Sequence, residues 1–224
     1  MQQNLIRCPW CGTIDQLYID YHDHEWWVPV HDDRVLFGFL TREWAQAWLS
    51  WITVLRKREN YRRLFYNWDI EKIVNMTDIE LEEILLDAGV VRNRLKIYSV
   101  RKNAWIVLQI QQEFGSLDAY FWSSQWFDSS TEKGRRGRVT QKRIPHSVTP
   151  SNSPFSGGEF PEFSIIHHGT TLSDFPTEDD ISRAISRDLK KRGMSFVGST
   201  IIYAFMQAVG MVDDHIDTCF RKTK

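Results

Sequence analysis

The chain has 224 residues, a length that suits one domain of ordinary size. Hydrophobic residues make up 42% and charged residues 25%, which excludes a chain that is disordered throughout. The 28 Lys+Arg and 29 Asp+Glu nearly cancel to a net charge of −1, which excludes a strongly basic coat for nucleic acid but not a local basic face.

The cysteine count and the N-terminal sequence predict where the protein acts. Three cysteines are too few for a disulfide framework. The sequence has neither the apolar core of a signal peptide at its start nor an apolar run long enough to span a membrane. We therefore expect a cytoplasmic protein with reduced thiols and no membrane partner.

Helical patterns dominate the chain and predict an all-α fold. The first helical stretch runs from Asp32 to Phe65 without a proline. Val, Ile and Thr do not alternate with polar residues over any long stretch, so evidence for strands is poor. Further helices are predicted at Asp78–Asp87, Arg92–Glu113, Leu117–Phe121, Glu178–Lys191, Thr200–Val209 and Asp213–Phe220.

A segment rich in Ser, Gly and Pro, residues 129–169, interrupts what we otherwise expect to be a single domain covering 1–224. Its composition cannot bury enough apolar surface to offset the entropy of ordering, so we predict a flexible insertion. The segment is either a solvated loop or an auxiliary arm that contacts phosphates. Its basic residues are Lys133, Arg135, Arg136, Arg138, Lys142 and Arg143.

A histidine and a cysteine near the C-terminus form half of a candidate metal site. His215 and Cys219 are four residues apart, so on the predicted helix they share one face. The N-terminal segment offers Cys8, Cys11 and His22 as the other half of a tetrahedral zinc site. Spacing alone also permits a core histidine beside a buried cysteine, and both interpretations stay open.

A carboxylate and an indole recur at helical spacing in the middle of the long helical stretch. Trp10, Tyr21 and Trp26 add aromatic faces nearby in sequence. A carboxylate among aromatic rings suits a planar, cationic or hydrogen-bond-donating ligand such as a nucleobase. The alternative is an ordinary aromatic core. The residues of the stripe are Glu43, Gln46, Ala47, Ser50 and Trp51.

Two helices joined by a glycine-containing turn are predicted near the C-terminus. The first ends in Lys190-Lys191-Arg192, and Gly193 is well placed as its C-cap. Gly198 precedes the second helix, whose free N–H groups can receive a phosphate. Such an arrangement can hold a DNA backbone without reading bases, although the glycine spacing by itself is typical of any turn.

Seven sequence blocks, in order, together resemble one known family, the 3-methyladenine DNA glycosylase I family within the helix-hairpin-helix glycosylase superfamily. They cover nearly the whole chain except the 129–169 segment. The blocks are RCPW (Arg7–Trp10), LYIDYHDHEW (Leu17–Trp26), SWITVLRKRENYR (Ser50–Arg62), DAGVVRNRLKI (Asp87–Ile97), FGSLDAYFWS (Phe114–Ser123), LKKRGMSFVGSTI (Leu189–Ile201) and YAFMQAVGMVDDH (Tyr203–His215).

The resemblance implies a monofunctional glycosylase of base excision repair. Such an enzyme hydrolyses the N-glycosidic bond of 3-methyladenine in double-stranded alkylated DNA and leaves an abasic site. We therefore expect a monomer that acts in a bacterial cytoplasm and associates with the nucleoid through DNA. The alternative from another class is a catalytically impaired DNA-binding module with a blocked base pocket, and a third is a zinc-organised structural protein.

The resemblance also implies roles for individual residues. Glu43 is the expected catalytic residue, which accepts hydrogen bonds from the base, and Tyr21 and Trp51 stack on that base. Trp10 and Trp26 close the walls of the pocket. The DNA-binding residues are Lys191, Arg192, Gly193 and Gly198, and the structural zinc ligands are Cys8, His22, His215 and Cys219.

This chain departs from the family pattern at an aspartate. Asp213 stands where the family commonly has asparagine and where the wider superfamily often has aspartate. A carboxylate there either acts as an auxiliary acid that stabilises the sugar cation or is an aspartate at a helix N-terminus.

The chain also departs from the family at several of its ten tryptophans. Trp27, Trp44 and Trp48 stand at positions that are usually glycine in the family. Three large rings around one pocket would each cost about 1–3 kcal/mol through overpacking. We therefore expect UGA codons that mean glycine in the source, with Trp68, Trp105 and Trp126 as further candidates.

Overall fold

The computed structural model of the protein describes residues 5–46, 49–123, 126 and 164–223, and the backbone of 140–141. Within these ranges the chain is mainly helical, as predicted, with a small sheet that was not predicted. The helices are α1 (Gln16–His24), α2 (Asp33–Gln46), α3 (Trp51–Leu64), α4 (Ile70–Val74), α5 (Asp78–Leu86), α6 (Arg94–Phe114), α7 (Leu117–Phe121), α8 (Asp180–Lys191) and α9 (Ser199–Ala208); the strands are β1 (Thr140–Gln141), β2 (Ile165–Ile166) and β3 (Val212–Asp213).

Helices α5 to α9 are confirmed to within two residues of their predicted ends. The beginnings of α5 to α8 follow from capping side chains that accept hydrogen bonds from the first-turn N–H groups. Thr77 and Glu80 form a reciprocal capping box on α5. Asn93 caps α6, and Gly115 ends that helix with φ +89°, a conformation that favours glycine.

The predicted continuous helix from Asp32 to Phe65 is divided into α2 and α3. Ser50 has extended backbone dihedrals, φ −73° and ψ 145°, and therefore starts a new helix instead of continuing the old one. The helical patterns of the sequence did not predict α1 and α4. Asp15 caps α1 by accepting from the N–H groups of Leu17 and Tyr18, and this aspartate was the available signal for the helix.

The predicted helix at Asp213–Phe220 is wrong. Val212 and Asp213 instead pair in parallel with Ile165 and Ile166, and turns follow. The carboxylate of Asp213 accepts a hydrogen bond from the N–H of His215, two residues on. Such local side-chain bonds compete with helical hydrogen bonding, which explains the failure of the helical spacing as a guide here.

The C-terminal boundary predicted for the 129–169 segment is corrected by the sheet. Ile165 and Ile166 are buried and lie between the other two strands, so residues 164–169 belong to the folded core. The antiparallel partner of β2 is Thr140–Gln141, which also falls inside the segment. Residues 127–139 and 142–163, including the predicted basic cluster, lie outside the described residues.

The core is formed where α6 packs against α2, α4, α5 and α7, while α9 packs against α2 and α8. Asn103 of α6 holds the turn between α8 and α9, because its amide donates to the carbonyl of Ser195 and accepts from the N–H of Ser195, both at 2.9 Å. Residues of α1, α2 and α9 line one cavity at the side of the molecule where α9 packs against α2. In the described part of the chain, no helix is long and apolar enough to cross a membrane.

Two tryptophans in the described part have left-handed backbone conformations. Trp27 has φ +62° and Trp68 has φ +63°, and both rings are buried. A bulky residue in this region of φ is a rare and strained exception, whereas glycine adopts it freely. Trp44 differs, because it lies in α2 with its ring fully buried and without this strain. Trp48 lies outside the described residues.

Candidate functional site

A cavity of about 350 Å³ opens between the N-terminal and C-terminal helices. Its size falls within the range of small-molecule sites. We call one side the aromatic wall, formed by Trp10, Tyr21, Trp26, Glu43 and Trp51, and the other side the α9 wall, formed by Thr177, Thr200, Tyr203, Gln207 and Asp214.

The aromatic wall is held by contacts among its own rings. The centroids of Tyr21 and Trp51 lie 5.4 Å apart, and those of Trp10 and Trp26 lie 4.9 Å apart in an edge-to-face arrangement. Such aromatic pairs are stabilising and leave little freedom of side-chain rotation. The wall is therefore rigid. The indole Nε1 of Trp51 is buried and has no hydrogen-bond partner in the described structure.

Glu43 is the buried carboxyl group of this wall. Only 5% of the residue is exposed, and none of the described residues donates a hydrogen bond to its carboxylate. Burial raises the pKa of Glu43 to about 8, against the opposing effect of the nearby Arg42 charge. An acceptor that is desolvated and has no partner in the protein is poised for a ligand that donates hydrogen bonds or carries positive charge.

The residues of the predicted stripe that line the cavity come from two helices, and not from one continuous helix as the sequence predicted. Glu43 and Gln46 come from the end of α2, whereas Trp51 opens α3, so no single helix face carries all three. The structure nevertheless brings these three residues to one cavity. Ser50 is exposed and does not line the cavity, and Ala47 lies outside the described residues.

The α9 wall carries a second buried carboxylate, Asp214, which the sequence analysis did not single out. Its Oδ2 accepts hydrogen bonds from the hydroxyl of Tyr203 at 2.7 Å and the amide of Gln207 at 2.6 Å. Its Oδ1 lies 2.7 Å from Nδ1 of His167. Burial and the adjacent carboxylate raise the pKa of Tyr203, which therefore remains a hydroxyl donor. The available signal was the pair of adjacent aspartates, whose side chains alternate in an extended strand.

Three of the four predicted metal ligands come together behind the aromatic wall. The ligand atoms of Cys8, His22 and Cys219 all lie within 4.8 Å of one another, and all three residues are buried. Sγ of Cys219 is 3.5 Å from Nε2 of His22. A hydrogen bond between the two thiols raises the pKa of Cys8 and lowers that of Cys219. Cys11 instead directs its thiol to the carbonyl of Cys8.

His215, the fourth predicted ligand, lies beside this group rather than within it. Its ring centroid is 5.3 Å from that of His22, and its buried Nε2 has no hydrogen-bond partner in the described structure. Each of the two histidines has Nδ1 against a carboxylate, at 2.8 Å from Asp23 and 2.9 Å from Asp213. When Nδ1 donates to a carboxylate, Nε2 is left as a lone pair for a metal.

Asp213, the predicted auxiliary acid, points away from the cavity. Its side chain is fully buried, does not line the cavity and accepts hydrogen bonds from the N–H groups of His215 and Thr223. Hydrogen bonding and charge from His215, together with the charge of Lys222, lower the pKa of Asp213 against the opposing effect of burial. The carboxylate of Asp213 therefore interacts with His215, behind the cavity, and not with a ligand inside it.

The predicted DNA-binding residues occupy the turn between α8 and α9. Lys191 is exposed at the end of α8, and Gly193 has φ +93° in the turn. Gly198 precedes α9, whose N-terminus has no side-chain cap and leaves its first N–H groups available. Arg192 differs, because its guanidinium is engaged by Glu113 and by Asp188 at 2.6 Å.

Comparisons with known proteins agree with this geometry over nearly the full chain. The sequence profile of the family described as "Methyladenine glycosylase" matches residues 10–154 and 158–222. DNA-3-methyladenine glycosylase 1 of Escherichia coli (strain K12) is 39% identical over 213 residues, which cover 95% of each chain. DNA-3-methyladenine glycosylase of Haemophilus influenzae is 37% identical over 217 residues, which cover 97% of this chain and 98% of the relative.

Solved structures show the same similarity. A crystal structure of 3-methyladenine DNA glycosylase I has a TM-score of 0.77 at 37% identity, and the match covers 97% of this chain and 100% of that chain. A Staphylococcus aureus structure that describes 3-methyladenine recognition has a TM-score of 0.75 at 29% identity and covers 95% of each chain. The family match also covers residues 129–154 and 158–169 of the segment 129–169.

Proposed function

Because the chain belongs to the methyladenine glycosylase family, we propose that its cavity receives 3-methyladenine from alkylated DNA. The protein hydrolyses the N-glycosidic bond of this base and leaves an abasic site, which makes it a monofunctional DNA glycosylase of base excision repair. Since the target atom is inaccessible inside a duplex, the nucleotide must leave the base stack to enter the cavity.

The observation that carries the assignment of the site is the combination of a partnerless buried carboxyl group with aromatic rings. Tyr21 and Trp51 offer faces for stacking, and Glu43 offers an acceptor on the same wall. A methyl group at N3 gives the nucleobase a positive charge, which a buried acidic group and electron-rich ring faces favour. Unmodified adenine lacks that charge and is bound more weakly.

The leaving group explains how little acid catalysis is needed. An adenine alkylated at N3 departs as a neutral base, so the protein need not protonate it. Selectivity then depends on contacts between the protein and the base that are stronger for the alkylated nucleotide than for the normal one. Glu43 supplies such an interaction, because a cationic base favours its ionised form and thereby lowers a pKa that burial has raised to about 8.

The alternative of a blocked pocket is disfavoured by the positions of the two extra rings that the structure describes, those of Trp27 and Trp44. Neither Trp27 nor Trp44 lines the cavity, and both lie behind the aromatic wall or in the core. The walls predicted for the base, Trp10 and Trp26, do line it. The cavity therefore retains a volume of about 350 Å³ despite the surplus of tryptophan.

We propose that the turn between α8 and α9 grips the backbone of duplex DNA as a helix-hairpin-helix element. The uncapped N-terminus of α9 favours a phosphate, because its N–H groups and the helix dipole attract an anion. Lys191 adds an exposed positive charge. Arg192 supports the turn through Glu113 and Asp188 instead of contacting phosphate directly.

We also propose a structural zinc ion at the Cys/His cluster, held by Cys8, His22, His215 and Cys219. Zinc ligand atoms in a tetrahedral site are separated by about 3.3–3.8 Å, since the bonds are about 2.0–2.3 Å long. The Cys219–His22 distance of 3.5 Å and the partnerless Nε2 of His215 fit this requirement. Bound zinc would tie the N-terminal segment to the C-terminal segment and thereby support the aromatic wall.

The test of the proposed function is the release of bases from methylated duplex DNA by the purified protein. We expect chromatography to show 3-methyladenine as the main released base, with abasic sites left in DNA of uncut backbone. Gel filtration with light scattering checks the expected monomer. Binding of methylated DNA without release of any base would instead support the impaired DNA-binding module.

A further inference from the structure

We infer that Asp214 faces the deoxyribose of the extruded nucleotide and stabilises the positive charge that develops on this sugar as the base departs. The inference rests on the proposed function and assigns a catalytic residue to the α9 wall. It also separates Asp214 from its neighbour Asp213, although both are buried carboxylates of one short segment.

The reaction presents positive charge at two places, and the cavity has a carboxyl group for each. The first place is the alkylated base, and the second is the sugar, which becomes a cation resembling an oxocarbenium ion when the glycosidic bond breaks. Glu43 lies on the aromatic wall and Asp214 on the α9 wall. Since the aromatic wall stacks the base, we assign the other carboxylate that lines the cavity, Asp214, to the sugar.

The course of the DNA backbone supports the same placement. Thr200, in the first turn of α9, lines the cavity on the same wall as Asp214. The uncapped N-terminus of that helix is where we place a phosphate. A deoxyribose connects the phosphate to the base, so it must pass along the α9 wall between the start of the helix and the aromatic rings.

The hydrogen bonds of Asp214 hold it in one orientation. Oδ2 accepts from Tyr203 and Gln207, and Oδ1 is paired with His167. A carboxylate offers about four lone-pair sites, so one site on Oδ1 remains for the sugar or a water. A group fixed in this way stabilises developing charge without reorganisation, which is the basis of electrostatic catalysis.

The bond changes balance without a further reactant. The bond between the sugar C1′ and the base N9 breaks, and its electron pair neutralises the cationic 3-methyladenine. A water oxygen bonds to C1′, and the proton of that water passes to solvent. Asp214 forms no covalent bond in these steps, and its carboxylate lowers the energy of the intermediate sugar cation, while Asp213 remains hydrogen-bonded to His215 and Thr223.

The test compares the parent protein with Asp214→Asn, which preserves size and can still accept hydrogen bonds. We expect single-turnover release of 3-methyladenine to fall about 100-fold, since one preorganised charge is removed from the transition state. Affinity for free 3-methyladenine, measured by tryptophan fluorescence, should change by less than about threefold, which is under 1 kcal/mol, because the free base lacks the sugar that Asp214 faces. Melting temperature and metal content check that the variant is folded.

Asp217→Asn is the matched control. Asp217 also pairs with a histidine, His168 at 3.0 Å, but it does not line the cavity. We expect this variant to release 3-methyladenine at the parent rate. If Asp214→Asn folds poorly, Tyr203→Phe serves instead, because it removes one donor to the carboxylate and should slow release with the free-base affinity unchanged.

A direct readout of charge uses duplex DNA containing an abasic analogue. The parent should bind a cationic pyrrolidine analogue about tenfold more tightly than the neutral tetrahydrofuran analogue, and Asp214→Asn should abolish that preference. Equal release rates for parent and Asp214→Asn, or an equal loss of free-base affinity, would overturn this inference alone. A parent that releases no 3-methyladenine would instead refute the proposed function.

Discussion

In two pairs of adjacent residues, one member lines the cavity and the other lies in the layer behind it. Tyr21 lines the cavity, whereas His22 lies in the Cys/His cluster; Trp26 lines the cavity, whereas Trp27 packs behind it. We call the first region the front layer and the second, with Cys8, His215 and Cys219, the back layer. The ring of Trp27 lies 5.6 Å from that of His215, which joins the tryptophan to the cluster.

The two layers differ in how their polar groups are satisfied. In the front layer, the partnerless carboxyl group of Glu43 belongs to a residue that lines an open cavity, where a base can meet it. In the back layer, Trp27 Nε1 and His215 Nε2 are buried without a partner in the described structure. A buried polar atom without a partner costs about 1–3 kcal/mol. The open front layer thus fits a transient ligand, whereas the closed back layer fits the zinc ion that we propose for it.

The largest expected effect is in the back layer. We expect the purified protein to carry about one zinc ion per chain and His215→Ala to lose metal and stability together, because three remaining ligands bind zinc far more weakly. Elemental analysis and thermal unfolding measure both quantities. Metal content equal to the parent in this variant would exclude His215 from the ligand set.

Asp213→Asn distinguishes support of the back layer from direct catalysis. If the carboxylate orients His215, zinc affinity should fall about 10- to 100-fold while excision by the fully metal-loaded protein stays normal. Competition with a chromophoric chelator gives the affinity. Slow excision by the metal-loaded variant would instead support the auxiliary-acid interpretation.

In the front layer, Glu43→Gln should slow single-turnover excision of 3-methyladenine by about 100-fold. The same substitution should raise the melting temperature relative to the parent as the pH increases. The raised pKa of Glu43 favours the folded state fully below the unfolded value of 4.5, and this stabilisation is lost as the pH rises through about 8. Identical excision rates, or a parallel pH dependence of both melting temperatures, would contradict the role assigned to Glu43.

A smaller effect on stability is expected from the backbone conformation of Trp27, in the back layer. Both Trp27→Gly and Trp27→Ala remove the ring, but only glycine relieves the left-handed conformation, so the glycine variant should be more stable by about 1 kcal/mol. Chemical denaturation measures the difference. Alanine equal to glycine in stability would show that the backbone strain has no energetic consequence.

The codons of these tryptophans test whether the strain exists in the natural protein. We expect UGA at Trp27, Trp44 and Trp48, with UGG at the front-layer residues Trp10, Trp26 and Trp51. The left-handed conformation of Trp68 makes that position a further UGA candidate. Peptide mass spectrometry of the protein from its natural source should then find glycine, whereas UGG at position 27 would show that the ring is genuine.

The smallest effect is expected in the segment 129–169. Replacing residues 143–162 by a short glycine-rich linker should leave the melting temperature and the excision rate unchanged, because the strands β1 and β2 are retained. The control deletion extends through Ile165 and Ile166 and should destabilise the protein, since both are buried in the sheet. Loss of folding in the shorter deletion would place part of 143–162 in the core.

Local sequence patterns were sufficient for much of the helical framework. Capping residues and periodic apolar positions are properties of short segments, so α5 to α9 could be predicted closely. The resemblance also supplied Tyr21, Glu43 and Trp51, which the structure brings to one cavity. Helical spacing would have grouped Glu43 with Trp51 for the wrong reason, because the helix breaks between them.

What only the tertiary structure decided is the direction of neighbouring side chains. Asp213 and Asp214 are the same residue type in one short segment, but pairing of β3 with β2 turns the first to His215 and the second to the cavity. Trp26 and Trp27 differ in the same way, because the backbone at Trp27 is left-handed. Sequence determines which groups are present, whereas long-range strand and helix packing decides what each group faces, because that packing joins residues far apart in the chain.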